Sequence, residues 1–255
     1  MLNEILILLI GLTSGSLGSM LGVGGGFIIV PALVFILGLP MHEAVSTSLA
    51  SITGIAFSSF LTYSWNKRVN YKLGVSLELF TFLGALIGST IATRLSCEFL
   101  EVLFGLTLIY VSFVMYREPR KNGKYENFKG KSLVPFFAYS ASFLTGIIAS
   151  MTGIGGGVLK VPIMNLILNV PIKTAIGTSE FMIVITSLAA TINYHLQGVG
   201  TIHYKIFGIA GGFLGGQLGS RTSLKLGGSM LKRLFAIILI CFAILMIIRG
   251  VTDIF

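Results

Sequence analysis

The sequence predicts an all-α polytopic membrane protein made of two tandem repeats, and three observations support this fold class. Of the 255 residues, 54% are hydrophobic and 11% are charged, whereas a soluble domain carries about 25% charged residues. Ten apolar stretches approach or reach the length that crosses a bilayer. Because lipid leaves no unpaired backbone and the stretches are too long for barrel strands, most of them are predicted helices. The second half also repeats the motifs of the first.

These stretches form a single transmembrane domain, 1–255, with two halves. Repeat one, 1–116, contains Leu2–Leu21, Gly26–Gly38, His42–Trp65, Tyr71–Leu95 and Cys97–Tyr116. A polar segment, Arg117–Lys131, has six basic and two acidic residues and is predicted to be a basic cytoplasmic loop, 117–131. Repeat two, 132–255, contains Ser132–Thr152, Gly157–Leu168, Lys173–Leu196, Tyr204–Leu224 and Met230–Ile248. A chain of 27.3 kDa leaves no room for a soluble enzyme domain beside them.

The two halves share a glycine-rich motif and keep one constant offset on either side of it. Gly22-Val23-Gly24-Gly25-Gly26 matches Gly153-Ile154-Gly155-Gly156-Gly157, and aligning Gly15–Pro31 with Gly146–Pro162 gives nine identities in 17 positions. The same register pairs Pro40 with Pro171, Thr47-Ser48 with Thr178-Ser179, and Gly88-Ser89 with Gly219-Ser220. Aligning Tyr71 with Tyr204 requires a small insertion near Gln197–Gly200. This correspondence indicates a tandem duplication.

The basic residues favour inverted repeats, because short cytoplasmic loops retain Lys and Arg. If the first two stretches of each repeat form a hairpin, each repeat crosses an odd number of times and the second is upside down. One face then collects 14 of the 18 basic residues, against three on the other. If each pair is one long broken helix, the halves are parallel and the split is 11 to 6. The inverted arrangement places the central loop in the cytoplasm and both termini outside.

Each glycine cluster interrupts an apolar segment, at a cost of about 1 kcal/mol per glycine relative to alanine in a helix. We expect a broken hairpin in each repeat, buried in protein or lining a wet cavity, because lipid-exposed backbone could not tolerate the break. Unpaired N–H groups at the start of the following half-helix would attract an anion. Paired broken helices of this kind indicate a transporter's substrate site. The alternative is close helix packing through small residues.

The paired Gly-x-Gly-Gly-Gly motifs, each followed by a proline and a Thr-Ser pair, resemble the TauE/SafE sulfite exporter family. The resemblance extends from Gly15 through Gly219. It implies transport of sulfite, sulfonates or related organosulfur anions across the bacterial inner (plasma) membrane. It also implies a substrate site at Gly24, Gly25, Gly26, Gly155, Gly156 and Gly157, with Thr47, Ser48, Thr178 and Ser179 nearby.

Two charged residues break the repeat symmetry: Ile29 is matched by Lys160, and Leu49 by Glu180. A charge inside the membrane is costly and by default marks function. Lys160 is a candidate substrate-binding residue because its charge would neutralise an oxyanion. Glu180 is a candidate proton carrier for coupling, as is Glu78, for which the sequence shows no partner. Two alternatives stay open: Lys160 and Glu180 pair structurally, or the substrate competes with Glu180 for Lys160.

The sequence therefore predicts a secondary transporter that works by alternating access, since it contains no ATP-binding motif. An intramembrane enzyme is an alternative, although no nucleophile–base pair or metal-ligand spacing is visible. A structural subunit of a membrane complex is another, although it would not need paired glycine clusters. The expected partners are a small anionic substrate and the lipid bilayer, without nucleic acid, metal or cofactor, and a homo-oligomer stays open.

Overall fold

The computed structural model describes residues 2–116, 133–225 and 229–252, with side chains described except at 21, 114–116, 133–135, 225 and 229–238. Within these residues every regular element is helical. Four of the described helices are long and apolar enough to cross a membrane, over Leu2–Met20, Met41–Trp65, Tyr71–Ala92 and Ile172–Leu196. An all-helical polytopic membrane protein fits this pattern. The predicted loop 117–131 lies outside the described residues.

The helices follow the predicted apolar stretches to within four residues at each end. The first half contains α1 (Leu2–Leu21), α2 (Gly26–Leu37), α3 (Met41–Trp65), α4 (Tyr71–Ala92) and α5 (Cys97–Tyr116). The second half contains α6 (Leu133–Thr152), α7 (Gly157–Pro162) with a π-helical turn (Ile163–Ile167), α8 (Ile172–Leu196), α9 (Ile202–Lys225) and α10 (Ser229–Thr252). Pro31 lies inside α2, whereas its counterpart Pro162 ends α7 where the π-helical turn begins.

The register that pairs Gly22 with Gly153 recurs in the helix starts. The same offset separates the first residues of α1 and α6, of α2 and α7, of α3 and α8, and of α4 and α9. The insertion near Gln197–Gly200, inferred to align Tyr71 with Tyr204, is therefore wrong, since α4 starts at Tyr71 and α9 at Ile202. Tyr71 and Tyr204 therefore stand at different positions of their helices, the first and third residues respectively.

Each of the two outer pairs joins a helix of one half to a helix of the other. Gly211 and Gly219 of α9 lie against the backbone carbonyls of Leu8 and Ser16 in α1, so closely that an added Cβ would collide with them. The residue numbers in contact rise together along both helices, and α1 and α9 are therefore parallel. The small residues let the backbones approach, as in many membrane helix pairs.

The helices α4 and α6 form the corresponding pair. Gly84 and Gly88 of α4 lie against Phe143 and Ile147 of α6, again too close for a Cβ. These helices are also parallel, because both numbers rise together. The same kind of glycine contact thus occurs twice. In one pair the glycines belong to the second half (α9), and in the other they belong to the first half (α4).

The central pair runs antiparallel. The Thr53 hydroxyl of α3 donates to Ser187 of α8 at 2.9 Å, whereas Tyr63 of α3 meets Gly177 near the start of α8. A second antiparallel pair is formed by α5 and α10, in which Gly105 contacts Ala243 while Glu98 contacts Gly250.

Large apolar side chains cover the outside of the molecule. Leu79 and Leu83 of α4 are 63% and 53% exposed, and Leu214 and Leu218 of α9 are 51% and 57% exposed. Such a surface is far more apolar than that of a soluble monomer. It suits contact with lipid chains.

Candidate functional site

Each glycine cluster forms a left-handed turn that joins two helices. The φ angles are 72°, 83° and 81° in the first turn and 72°, 85° and 75° in the second, at Gly22, Gly24, Gly25, Gly153, Gly155 and Gly156. Glycine adopts these angles without steric cost, unlike other residues. Three of the four glycines in each motif are therefore required by backbone conformation.

The fourth glycine of each motif is required by close approach. A Cβ at Gly157 would lie 2.6 Å from the carbonyl oxygen of Gly22, and a Cβ at Gly26 would collide with the carbonyl oxygen of Gly153. The two turns thus pack reciprocally against each other, and both are buried. Close packing accounts for Gly26 and Gly157, and the structure brings the two predicted clusters together.

The turns lead directly into α2 and α7. Gly25 and Gly156 are the residues before these helices, and neither helix start receives a side-chain cap within the described part of the chain. The first N–H groups of any helix lack an intrahelical acceptor. Both helix starts are buried, so these backbone donors lie inside the protein.

The four predicted hydroxyl residues have different surroundings. Ser48 donates to the carbonyl of Gly153 at 2.8 Å and so contacts the second turn. Thr178 accepts a hydrogen bond from the backbone N–H of Asn70 at 2.9 Å, so its hydroxyl is directed towards the start of α4. The hydroxyls of Thr47 and Ser179 are buried and have no hydrogen-bond partner among the described residues. A buried polar atom without a partner requires an explanation.

A buried ion-pair cluster lies beside the second turn, formed by Lys160, Glu78 and Thr186. Lys160 is 1% exposed, and its Nζ lies 3.1 Å from Oε2 of Glu78 and donates to Oγ1 of Thr186 at 2.7 Å. The Thr186 hydroxyl hydrogen-bonds to Oε1 of Glu78. A Cβ at Gly156 would lie 3.6 Å from Cε of Lys160, so the lysine stem passes next to the turn.

The alternative of a structural pair between Lys160 and Glu180 is wrong, because Lys160 binds Glu78, for which the sequence showed no partner. Glu180 and Thr186 are six residues apart on α8, or about 240° around the helix axis. Their side chains therefore leave α8 on different faces, and the face of Thr186 meets α4. Glu180 is fully buried, and neither carboxylate oxygen has a hydrogen-bond partner in the described chain.

Sequence reasoning missed Thr186, although a signal for it was present. In the register that pairs Gly22 with Gly153, Lys160 stands opposite Ile29 and Thr186 opposite Ile55. Glu78 stands opposite Ile209 in the same register. All three members of the ion-pair cluster thus replace isoleucines of the other half, and a comparison of the halves for polar-for-isoleucine changes would have found the complete set.

Histidine and cysteine side chains meet at one place away from the turns. His42 Nδ1 lies 3.1 Å from Cys97 Sγ, and Nε2 lies 3.0 Å from the carbonyl oxygens of Ala92 and Leu95. This contact ties the start of α3 to the connection between α4 and α5. Among the described residues, no three His, Cys, Asp or Glu side chains are grouped so that they could hold a metal ion.

Comparison with known proteins places the chain among membrane transporters. It is 28% identical to "Probable membrane transporter protein YunE" of Bacillus subtilis over 98% of this chain and 99% of that protein. It is 31% identical to a "Probable membrane transporter protein" of Xylella fastidiosa over 94% of this chain and 93% of the relative. No solved structure matches the chain. The profile "Sulfite exporter TauE/SafE" matches residues 7–246, and the chain therefore belongs to the TauE/SafE family of membrane transporters.

Proposed function

We propose that this protein is a secondary transporter that moves small sulfur-containing anions, such as sulfite or sulfonates, across the bacterial inner membrane by alternating access. The observation that carries the proposal is the meeting of two buried glycine turns beside one buried lysine. Backbone donors and a fixed positive charge are the groups that bind an oxyanion in a site without water. The family name supports sulfur anions as the substrate class.

Helix directions support inverted halves. The equivalent helices α3 and α8 are antiparallel, and so are α5 and α10. In two halves with the same helix order, this relation is expected when one half is turned over in the membrane. Repeat one is then 1–116 and repeat two 132–255, joined by the basic loop 117–131 on the cytoplasmic side. The contact between α3 and α8 is the boundary at which alternating access would open the site.

Lys160 is the residue we assign to charge recognition. Its stem passes next to Gly156, so one side chain contacts both the second turn and the ion-pair cluster. The anion would therefore share Lys160 with Glu78, in place of the predicted competition with Glu180. The hydroxyls of Thr47 and Ser179, buried without a hydrogen-bond partner in the described chain, are further candidate donors to the anion.

Flux measurements in proteoliposomes test the function. Purified protein should exchange sulfite and methanesulfonate across the membrane, and Gly156→Val should abolish both binding and exchange. The added methyl groups would press on Ala149, Thr145 and the Lys160 stem. A matched control is Gly38→Val, since Gly38 also has a positive φ, of 64°, but has open space around its Cβ position. Unchanged anion binding in Gly156→Val would mean that the second turn serves helix packing and does not bind the anion.

Labelling of introduced cysteines tests the topology. Cysteines at Asn3 and Gly123 should react from opposite sides of the membrane, because the inverted arrangement places the N-terminus outside and the central loop in the cytoplasm. The two native cysteines, Cys97 and Cys241, are both free and are first replaced by serine. Reaction of both labels from one side would refute the inverted arrangement.

A further inference from the structure

Glu180 is the buried acidic group that the site geometry leaves without a partner. It lies on α8 between Gly177, which contacts Tyr63 of α3, and Ser187, which hydrogen-bonds to Thr53 of α3. Its side chain is 0% exposed, and both carboxylate oxygens lack a hydrogen-bond partner among the described residues. The proposed repeat partner of Glu180 is Leu49, so the fold does not require a carboxyl group at this position.

Charge balance determines which form of Glu180 fits this conformation. The ammonium of Lys160 is already matched by Glu78, and Thr186 hydrogen-bonds to both. An ionised Glu180 would add a second buried negative charge with no hydrogen-bond donor and no cation of its own, which proteins avoid. A protonated carboxyl group carries no such charge. The conformation therefore fits a Glu180 that holds a proton.

The charged and titratable groups close to Glu180 come from α7 and α3. Lys160 of α7 and Tyr63 of α3 interact with it electrostatically, without a hydrogen bond. Glu78 of α4 binds Lys160, and the Tyr63 hydroxyl donates to a serine of α9 at 2.9 Å. Among the described residues of α6 the titratable group is Tyr139, which is stacked with an aromatic ring of α4. The π-helical turn contains no charged residue.

We propose that Glu180 is the proton-binding group that couples anion transport to a proton gradient, and that Glu78 is the permanent counterion of Lys160. This inference rests on the proposed function. When Glu180 is neutral, an anion entering the site meets one ammonium and one carboxylate, and when Glu180 is ionised it meets two carboxylates. Anion binding is therefore favoured by proton binding, and the two are carried together. Separation of α3 from α8 would expose Glu180 to water, to which the proton is released.

Infrared spectroscopy of the purified protein tests the proton site without any substrate. The carbonyl stretch of a protonated carboxyl group should be present in the wild type and lost in Glu180→Gln. It should be retained in the double variant Lys160→Met, Glu78→Gln, which removes the ion pair without leaving an unmatched cation near Glu180. Glu180→Leu gives a second variant with the residue found at the matching position Leu49, in case the glutamine variant does not fold. A band that persists in both Glu180 variants, or that disappears in the double variant, would overturn the inference.

Binding and flux of methanesulfonate test the coupling, since this anion keeps a single charge throughout the pH range used. In the wild type, its affinity should fall as the pH rises and Glu180 ionises, and a pH gradient should drive its accumulation. In Glu180→Gln, affinity should be independent of pH, and gradient-driven accumulation should fall by about tenfold or more. Glu98→Gln, at the start of α5, is the matched control and should behave as the wild type.

The outcomes separate the two proposals. A wild type that exchanges methanesulfonate with no response to pH would overturn the proton coupling and leave the proposed function intact. A wild type that neither binds nor exchanges sulfite or methanesulfonate would overturn the proposed function, and with it proton-coupled anion transport. The infrared band would then still decide whether Glu180 is a proton site.

Discussion

The surroundings of the two glycine turns differ in chemistry although the turns share one backbone conformation. Beside the second turn stand Lys160, Thr186 and Glu78, whereas the register that pairs Gly22 with Gly153 gives Ile29, Ile55 and Ile209 as their counterparts. Ile29 and Ile55 are buried like their polar counterparts, and Ile209 is exposed. The shared backbone shows that neither turn needs the charges in order to form. The charges of the ion-pair cluster are therefore available for a task at the second turn that has no counterpart at the first.

Removing one partner of the ion-pair cluster should produce the largest loss of stability. Lys160→Met leaves Glu78 buried without its cation, and such changes destabilise proteins by about 3–5 kcal/mol. Thermal unfolding in detergent would measure this loss. The matched change in the other half, Ile29→Met, replaces one apolar side chain by another and should cost less than about 1.5 kcal/mol. Equal losses of stability in both variants would mean that the ion pair stabilises the protein no more than an apolar side chain does at the matching position.

Replacing the ion-pair cluster by its isoleucine counterparts should change the stability less, and in the opposite direction. The triple variant Lys160→Ile, Thr186→Ile and Glu78→Ile removes the cluster completely, and such replacements are neutral or stabilise by about 1–4 kcal/mol. Methanesulfonate exchange should nevertheless be lost, because no fixed positive charge remains beside the turn. Exchange that survives in a well-folded triple variant would exclude Lys160 from anion recognition.

The smallest effect is expected at the two matched serines. Ser48→Ala removes the donor to the Gly153 carbonyl and should cost about 1 kcal/mol. Ser179→Ala removes a hydroxyl that has no partner in the described chain, so its stability should stay within about 0.5 kcal/mol of the wild type. If Ser179 contributes to the anion site, methanesulfonate affinity should fall in Ser179→Ala alone. Equal losses of stability would mean that both hydroxyls are bonded in the same way.

The helices, the glycine turns and the offset between the halves, apart from the insertion near Gln197–Gly200, could be predicted from the sequence because each has a local signature. Long apolar runs set the helix ends, and a triplet of glycines within such a run breaks the helix at that point. The positive φ angles at Gly25 and Gly156 are a property of the motif itself. Long-range geometry was not needed for any of these.

The partner of Lys160 could not be predicted, because it depends on how α4 is rotated about its axis. Glu78 is 82 residues away from Lys160, and the apolar residues around it do not show which face meets α7 and α8. Glu180 lies closer in the sequence and was therefore the natural candidate. Lys160 and Glu78 meet because helices of the two halves pack together. The order of residues along the chain does not show which helices pack or which faces meet.

The packing of α1 and α4 against helices of the other half has a consequence for how the protein folds during synthesis. Leu8 of α1 finds its glycine contact in Gly211, which lies in the last fifth of the chain. During synthesis α1 therefore leaves the ribosome long before α9, the helix against which it packs. Contacts of such long sequence separation slow folding and expose intermediates. A half expressed alone should be degraded, whereas the two halves expressed together as separate polypeptides should rescue each other.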